Sequence, residues 1–251
     1  AEGLVAVAVD GNKGAVVEVN SETDFVAKND MFQEYVADAA LVALMHNGEV
    51  CDMKTFQCPK VHKSFEERLT DLIAKIGENM NLRRAAMLEV SNGVIASYVH
   101  NACKPNLGKI GVLVALESNG DKAKLQELGK HIAMHVAASN PQFLTIADVD
   151  QASIDHEKAI FSEQAKASGK PENIIEKMVE GRIKKYFDEV VLEEQAYIMD
   201  PDKKVKQIVA DAAKEMGADI KLKAFVCFRL GEGLEKRNED FAAEVASQLK
   251  K

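Results

Sequence analysis

Val5-Ala6-Val7-Ala8-Val9-Asp10-Gly11-Asn12-Lys13-Gly14-Ala15-Val16-Val17-Glu18-Val19, followed by Asn20-Ser21-Glu22-Thr23-Asp24-Phe25-Val26-Ala27-Lys28-Asn29, is the stretch that decides the fold class. Two β-type apolar runs, at 5–9 and 15–19, flank a Gly-rich turn, which is the pattern of a β-hairpin. From Asn29 the period changes, and Phe32, Val36, Ala39, Ala40 and Ala43 fall on one helical face. A hairpin that gives way at once to an amphipathic helix predicts strands packed with helices, an α+β fold.

The theme continues along the chain. Residues 64–76 read as an amphipathic helix with Phe65, Leu69, Leu72, Ile73 and Ile76 inward, opened by the capping-box pattern Ser64-Phe65-Glu66-Glu67. Residues 82–90 read as a strand with an unusual Arg83-Arg84 pair, and Ser91-Asn92-Gly93 turns it into a strand at 94–99. A strand at 110–116 precedes a helix capped by Asp121, with Leu125, Leu128, Ile132 and Val136 inward and Pro141 as its stop. Two strand-then-helix runs thus lie roughly 95 residues apart, which predicts two related α+β halves rather than a solenoid.

Residues 150–200 differ, being poor in strand formers and rich in Glu, Lys and Ala. Two helical segments flank Ser168-Gly169-Lys170-Pro171, with Pro171 suited to the first turn of the second. Ile174, Ile175, Met178 and Ile183 form the second segment's apolar stripe. The pattern predicts an antiparallel helical hairpin projecting from the body. A helix at 202–216, a strand at 224–230 and a terminal helix at 240–249 complete the expected elements. The expected organisation is an N-terminal core subdomain at 1–92, a C-terminal core subdomain at 93–149 and 201–251, and an inserted, coiled-coil-like hairpin at 150–200. Both core subdomains are expected to pack antiparallel strands with helices.

The chain has 251 residues, 47% hydrophobic and 29% charged, enough for one large domain or two smaller ones. A formal net charge of −8 argues against a nucleic-acid partner, because neutralising phosphates needs clustered Lys and Arg. No apolar run approaches the roughly 20 residues that cross a bilayer, and no signal peptide opens the chain. The scattered Cys51, Cys58, Cys103 and Cys227 read as reduced thiols in a reducing compartment rather than a disulfide scaffold. The start at Ala1-Glu2-Gly3, without a methionine, reads as cut or processed.

Catalytic constellations are wanting. No Gly-x4-Gly-Lys-Ser/Thr or Gly-x-Ser-x-Gly pattern occurs, and Gly231-Glu232-Gly233 lacks the third glycine of a dinucleotide loop. His46, Cys51, Cys58 and His62 fall close together with zinc-ligand chemistry, but without a Cys-x2-Cys knuckle they read as ordinary loop residues. His131 and His135, one helical turn apart, read as packing residues with polar tips rather than a metal pair. No cofactor, no metal and no covalent catalysis are expected.

Residues 18–29 carry the most information. Asn20, Ser21, Thr23 and Asp24 favour caps and turns. On residues alone, the favoured account is a helix N-cap with Phe25 tucked inward, like a hydrophobic staple. The alternative presents Phe25 outward as an anchor for a partner's pocket.

That stretch resembles the signature of the elongation factor Ts family around Thr23-Asp24-Phe25-Val26. Other segments are similar to the family in the same order. They are Lys75-Ile76-Gly77-Glu78-Asn79 with Asn81-Leu82-Arg83-Arg84, His131-Ile132-Ala133-Met134-His135-Val136-Ala137-Ala138, and Gly169-Lys170-Pro171 with Met178-Val179-Glu180-Gly181-Arg182. Gly231-Glu232-Gly233 and Asp240-Phe241-Ala242-Ala243-Glu244-Val245 extend the likeness to nearly the whole chain.

The resemblance implies a guanine-nucleotide exchange factor, not an enzyme, that binds elongation factor Tu in its GDP-bound and nucleotide-free forms. It implies that Thr23, Asp24, Phe25 and Val26 reach the GTPase domain, where the ring enters a pocket near the nucleotide and disturbs the Mg²⁺ site. It assigns a second contact to His100, in Ser97-Tyr98-Val99-His100, which on residues alone is as well read as an exposed strand-end histidine. Two departures accompany it. The family's N-terminal three-helix module, similar to a ubiquitin-associated domain, is missing from this chain, which implies reduced affinity. The link at 101–109 is longer than the family's usual one. The alternative is a self-associating helical scaffold, a homodimer formed through the hairpin at 150–200. Neither reading involves nucleic acid or a membrane.

Overall fold

β1 (Glu2–Asp10) and β2 (Lys13–Ser21) pair antiparallel without a break, from Glu2↔Ser21 to Asp10↔Lys13, as the sequence predicts. The computed structural model containing this hairpin describes residues 1–234. After β2 come a single helical turn, α1 (Asp24–Ala27), and a long helix, α2 (Asp30–Met45). Next are α3 (Val50–Thr55), a two-residue ladder of β3 (Gln57–Cys58) and β4 (Lys63–Ser64), and α4 (Phe65–Ile76). The predicted capping box is present on α4: Glu67 N–H donates to Ser64 Oγ, and Ser64 N–H donates to the Glu67 carboxylate. Gly77, left-handed at φ 83°, ends the helix and releases the chain into β5 (Met80–Glu89).

β6 (Gly93–His100), β7 (Leu107–Gly108) and β8 (Ile110–Ser118) precede α5 (Lys122–Ser139). α6 (Gln151–Lys166) and α7 (Glu172–Val190) pack on each other, leaving most of their surface exposed apart from Ala165 and Ile183. β9 (Ala196–Tyr197), β10 (Asp200–Lys204), α8 (Val205–Met216) and β11 (Ile220–Arg229) follow.

The long strands form two antiparallel sheets, β5-β2-β1-β7 and β11-β8-β6. Both are buried on both faces. In the first, Leu4, Ala6, Ala8, Val17 and Val19 share a core with Phe32, Val36, Ala39 and Ala43 of α2, while Val5, Val7 and Val16 face the second sheet. In the second, Val112, Val114 and Leu116 pack with α5 and α8, while Ile95, Leu113 and Ala115 face the first. The result is helix, sheet, sheet, helix, with strand side chains alternating between an inter-sheet core and a helix-facing core. Gly111 permits the close approach of the sheets: a Cβ there would lie 2.6 Å from Val5 Cγ1 and 3.1 Å from Val16 Cγ2.

Several boundaries differ from expectation. The helix expected at 202–216 begins only at Val205, because residues 200–204 pair with β9 and Lys204 N–H donates to Gln207 Oε1, fixing the start there. Pro171 occupies the N-cap rather than the first turn, its ψ of 150° lying outside the helical range. β7, which the sequence did not suggest, adds residues 107–108 to the first sheet. The predicted helix at 240–249 lies outside the described residues. No helix among the described residues is long and apolar enough to cross a membrane.

Candidate functional site

The turn between β2 and α2 puts an aromatic ring on the surface. Phe25 is 75% exposed, whereas its neighbours Val26 and Ala27 are buried in the core beneath α2. The inward account of Phe25, favoured by the residues alone, is therefore corrected: Val26 takes the inward position, and a helical turn that buries Val26 and Ala27 points residue 25 away. A charged pair stands beside the ring. Lys28 Nζ lies 5.7 Å from its centroid and 3.5 Å from Asp24 Oδ2.

A polar frame holds this turn from beneath. Asn29 caps α2, its Oδ1 accepting from Met31 and Phe32 N–H. Gln33, buried, donates from Nε2 to the Ala27 carbonyl at 2.9 Å. Ser21 Oγ donates to the Thr23 carbonyl at 3.0 Å. Glu78, just past the end of α4, accepts from both Thr23 N–H at 3.1 Å and Thr23 Oγ1 at 2.8 Å. Neither Glu78 nor Gln33 shows this role in the sequence. Nothing in local spacing joins residues 23 and 78.

His100 ends β6, exposed, with Tyr98 Oη 3.1 Å from its Nδ1. The long link after it is folded onto the first sheet: Cys103 N–H donates to the Leu107 carbonyl, and Val7 N–H to the Asn106 carbonyl. Lys104 Nζ donates to Asp30 Oδ1 at 2.8 Å, which holds the Asp30 carboxyl below its ordinary range. Cys103 Sγ is the acceptor of a long contact, 3.8 Å, from Gln33 Nε2. The link after His100 thus touches the first turn of α2, the helix that follows Phe25.

Among the described residues no group of three His, Cys, Asp or Glu side chains converges as a metal site. His46 caps the end of α2 against Phe56, Cys58 is buried near Arg68, and Cys51 and His62 are exposed. His135 is buried: Ile198 N–H donates to its Nδ1 at 3.2 Å, and its Nε2 lies 2.8 Å from Gln195 Oε1. That leaves the imidazole neutral, protonated on Nε2.

Glu18 is a further buried polar group, placed in β2 beside β5. It sits opposite Arg84 in the ladder, 2.6 Å from its Nε and 3.0 Å from Arg83 Nη1. Asn20 Nδ2 and Gly231 N–H donate to the same carboxylate at 2.9 and 2.8 Å. Burial alone would raise its pKa; the Gly231 amide, Asn20 and Arg84 outweigh it and hold the carboxyl below its ordinary value. Glu18 accounts for the Arg83-Arg84 pair.

A family model described as Elongation factor TS matches residues 22–232. A protein named elongation factor Ts from Paramagnetospirillum magneticum is 56% identical over 99% of this chain and 80% of its own length. Others of that name are 55% identical in Rhodospirillum rubrum, covering all of this chain and 81% of the relative, and 52% identical in Sinorhizobium medicae with the same coverage.

Proposed function

This chain belongs to the elongation factor Ts family, and from that premise we propose that it promotes GDP release from elongation factor Tu through the surface turn at Phe25. The observation that carries the proposal is the 75% exposure of a large aromatic ring on a turn whose other apolar side chains are buried. Thr23 and Val26 fix that turn to the body, Phe25 is its wedge, and Asp24 brings a negative charge beside it. His100 supplies a second contact. The two sheet-and-helix halves form the platform, and the work is done without a cofactor, in the cytoplasm.

An exchange factor needs differential affinity rather than a nucleophile. A protein that binds the nucleotide-free GTPase more tightly than the GDP-bound form weakens GDP by the same factor. In a GTPase, Mg²⁺ bridges the phosphates to the protein, so a wedge that displaces its ligands removes a large local charge interaction. Burying an aromatic side chain contributes about 2–3 kcal/mol. If that burial is available only in the disturbed state, about 2.8 kcal/mol shifts the equilibrium a hundredfold.

The test is release of fluorescent GDP from elongation factor Tu. The chain accelerates release, and Phe25→Ala lowers that acceleration by about tenfold or more, since truncating an interface anchor costs over 1–2 kcal/mol. The variant's own unfolding stays within about 0.5 kcal/mol, because the ring is exposed. Equal acceleration by both proteins would sink the proposal.

A further inference from the structure

We propose that Glu78 is the positioning residue of the Phe25 turn, clamping Thr23 so that the ring is already aimed before a partner arrives. This rests on the exchange function above.

α1 has only four residues, too short to hold its own shape. Its orientation must come from outside. On the C-terminal side the buried pair Val26 and Ala27, the Gln33 bond to the Ala27 carbonyl and the Asn29 cap supply it. On the N-terminal side there is no apolar anchor next to Phe25, since Glu22 and Asp24 are exposed and Thr23 is half-buried. Thr23 also departs from ordinary capping. It stands at the N-cap, yet its hydroxyl makes no bond to its own helix and instead donates to Glu78 Oε1 and Oε2, at 2.8 and 3.0 Å. Its backbone N–H donates to the same carboxylate.

Glu78 is itself well tethered. It follows Gly77 at the end of α4, a helix pinned by its capping box and by buried Phe65, Leu69 and Leu72. A carboxylate is acceptor-only, so it can take both donors of Thr23 at once. Two converging bonds fix rotation about Thr23 where one would leave a hinge, and rotation there swings the ring two residues further on.

If the clamp acts by pre-aiming, its loss lowers the fraction of molecules competent to bind, and apparent affinity falls by that fraction. For Glu78→Ala the expected result is a roughly tenfold rise in the half-maximal concentration for GDP release, with the plateau rate unchanged, if about a tenth of the molecules remain aimed. Thr23→Val, which removes the hydroxyl alone, shifts it in the same direction, and Thr23→Ser restores it. In a Phe25→Ala background, Glu78→Ala changes nothing further, whereas a general structural defect would lower both proteins alike.

Failure of the wild-type chain to accelerate release refutes the exchange function itself. Acceleration by wild type, loss in Phe25→Ala and full retention in both Glu78→Ala and Thr23→Val refutes the clamp. An equal further loss in the Phe25→Ala background also refutes it. Should Glu78→Ala fail to fold, the Thr23→Val and Thr23→Ser pair decides.

Discussion

Replacing Glu18 by Ala would remove the acceptor on which four groups of the protein converge. Its carboxylate is fully buried, whereas the Arg83 and Arg84 side chains that pair with it keep 19% and 28% of their exposure. The substitution strands the Gly231 amide, Asn20 Nδ2 and two guanidinium groups. Breaking a buried pair by deleting one partner costs about 3–5 kcal/mol, and water reaching the partly exposed arginines sets the low end here, about 3 kcal/mol. For a chain this size each kcal/mol lowers Tm by about 2–4 °C, so a fall of about 6–12 °C is expected. Urea unfolding followed by circular dichroism measures it, with the slope against denaturant checking that both proteins unfold alike. Glu18→Gln, which keeps an acceptor for Gly231 but not the charge, falls between. The pH dependence has a definite sign. The folded-state pKa lies below its ordinary value of 4.5, so the contribution is complete above that pH and is lost as pH falls through the depressed folded value. In Glu18→Ala that part of the acid destabilisation is absent. A loss under about 1 kcal/mol would refute the assignment of Glu18 as a buried ionic hub, being the size expected of an exposed pair.

His135 gives the complementary pH test. Burial pushes its pKa below the ordinary 6.5, the Gln195 bond opposing only in part, so stability is full above that value and falls as pH drops below it, until the folded value is reached. The slope is at most about 1.4 kcal/mol per pH unit for one proton; urea midpoints at several pH values read it, and a His135→Gln variant that keeps the same slope would exclude this residue as its source. Gly111→Ala places a methyl 2.6 Å from Val5 Cγ1 and 3.2 Å from Val7 Cγ1, and the forced separation of the sheets destabilises by about 1–3 kcal/mol. An unchanged or raised unfolding midpoint would show that the inter-sheet core has room to spare.

The fold class was legible because its signals are periodic and local. Valines alternate with alanines up to Asp10 and a second apolar run resumes after the Gly11-Asn12 turn, which is the pattern of a hairpin, and both of its faces are buried. The capping box at Ser64 named the start of α4 from a four-residue spacing. What escaped was long-range. β7 is two residues of a loop until β1 offers its edge, and β10 contains Pro201 and four charged residues that no propensity scale would pair. Residues 202–204 look helical because Val205, Ile208 and Val209 follow at helical spacing, and the pairing with β9 together with the Lys204 N–H bond to Gln207 decides where the helix starts. Glu18 was the one such feature with a visible signal. A charge in an otherwise apolar strand, together with adjacent arginines in another strand, is the pattern of a buried pair once the register is known.

The orientation of Phe25 shows why the site was less legible than the fold. Inward and outward placements of residues 25 and 26 use the same cap residues and the same composition, and each puts one apolar side chain in the core. The choice belongs to the partners of the turn, which lie elsewhere in the chain: Glu78 after α4, Gln33 within α2 and the core that receives Val26. Those partners keep the ring outward at little expense to the fold, because an exposed aromatic forgoes burial without stranding any polar group. The apolar area left in water is then available to whatever pocket receives it, and a turn already fixed loses less freedom on docking than a floppy one. On the proposed exchange function, stability and exchange depend on different residues of the same turn. Val26 and Ala27 serve the core; in that proposal Phe25 serves the partner, and Thr23 with Glu78 carries the rigidity of one to the aim of the other.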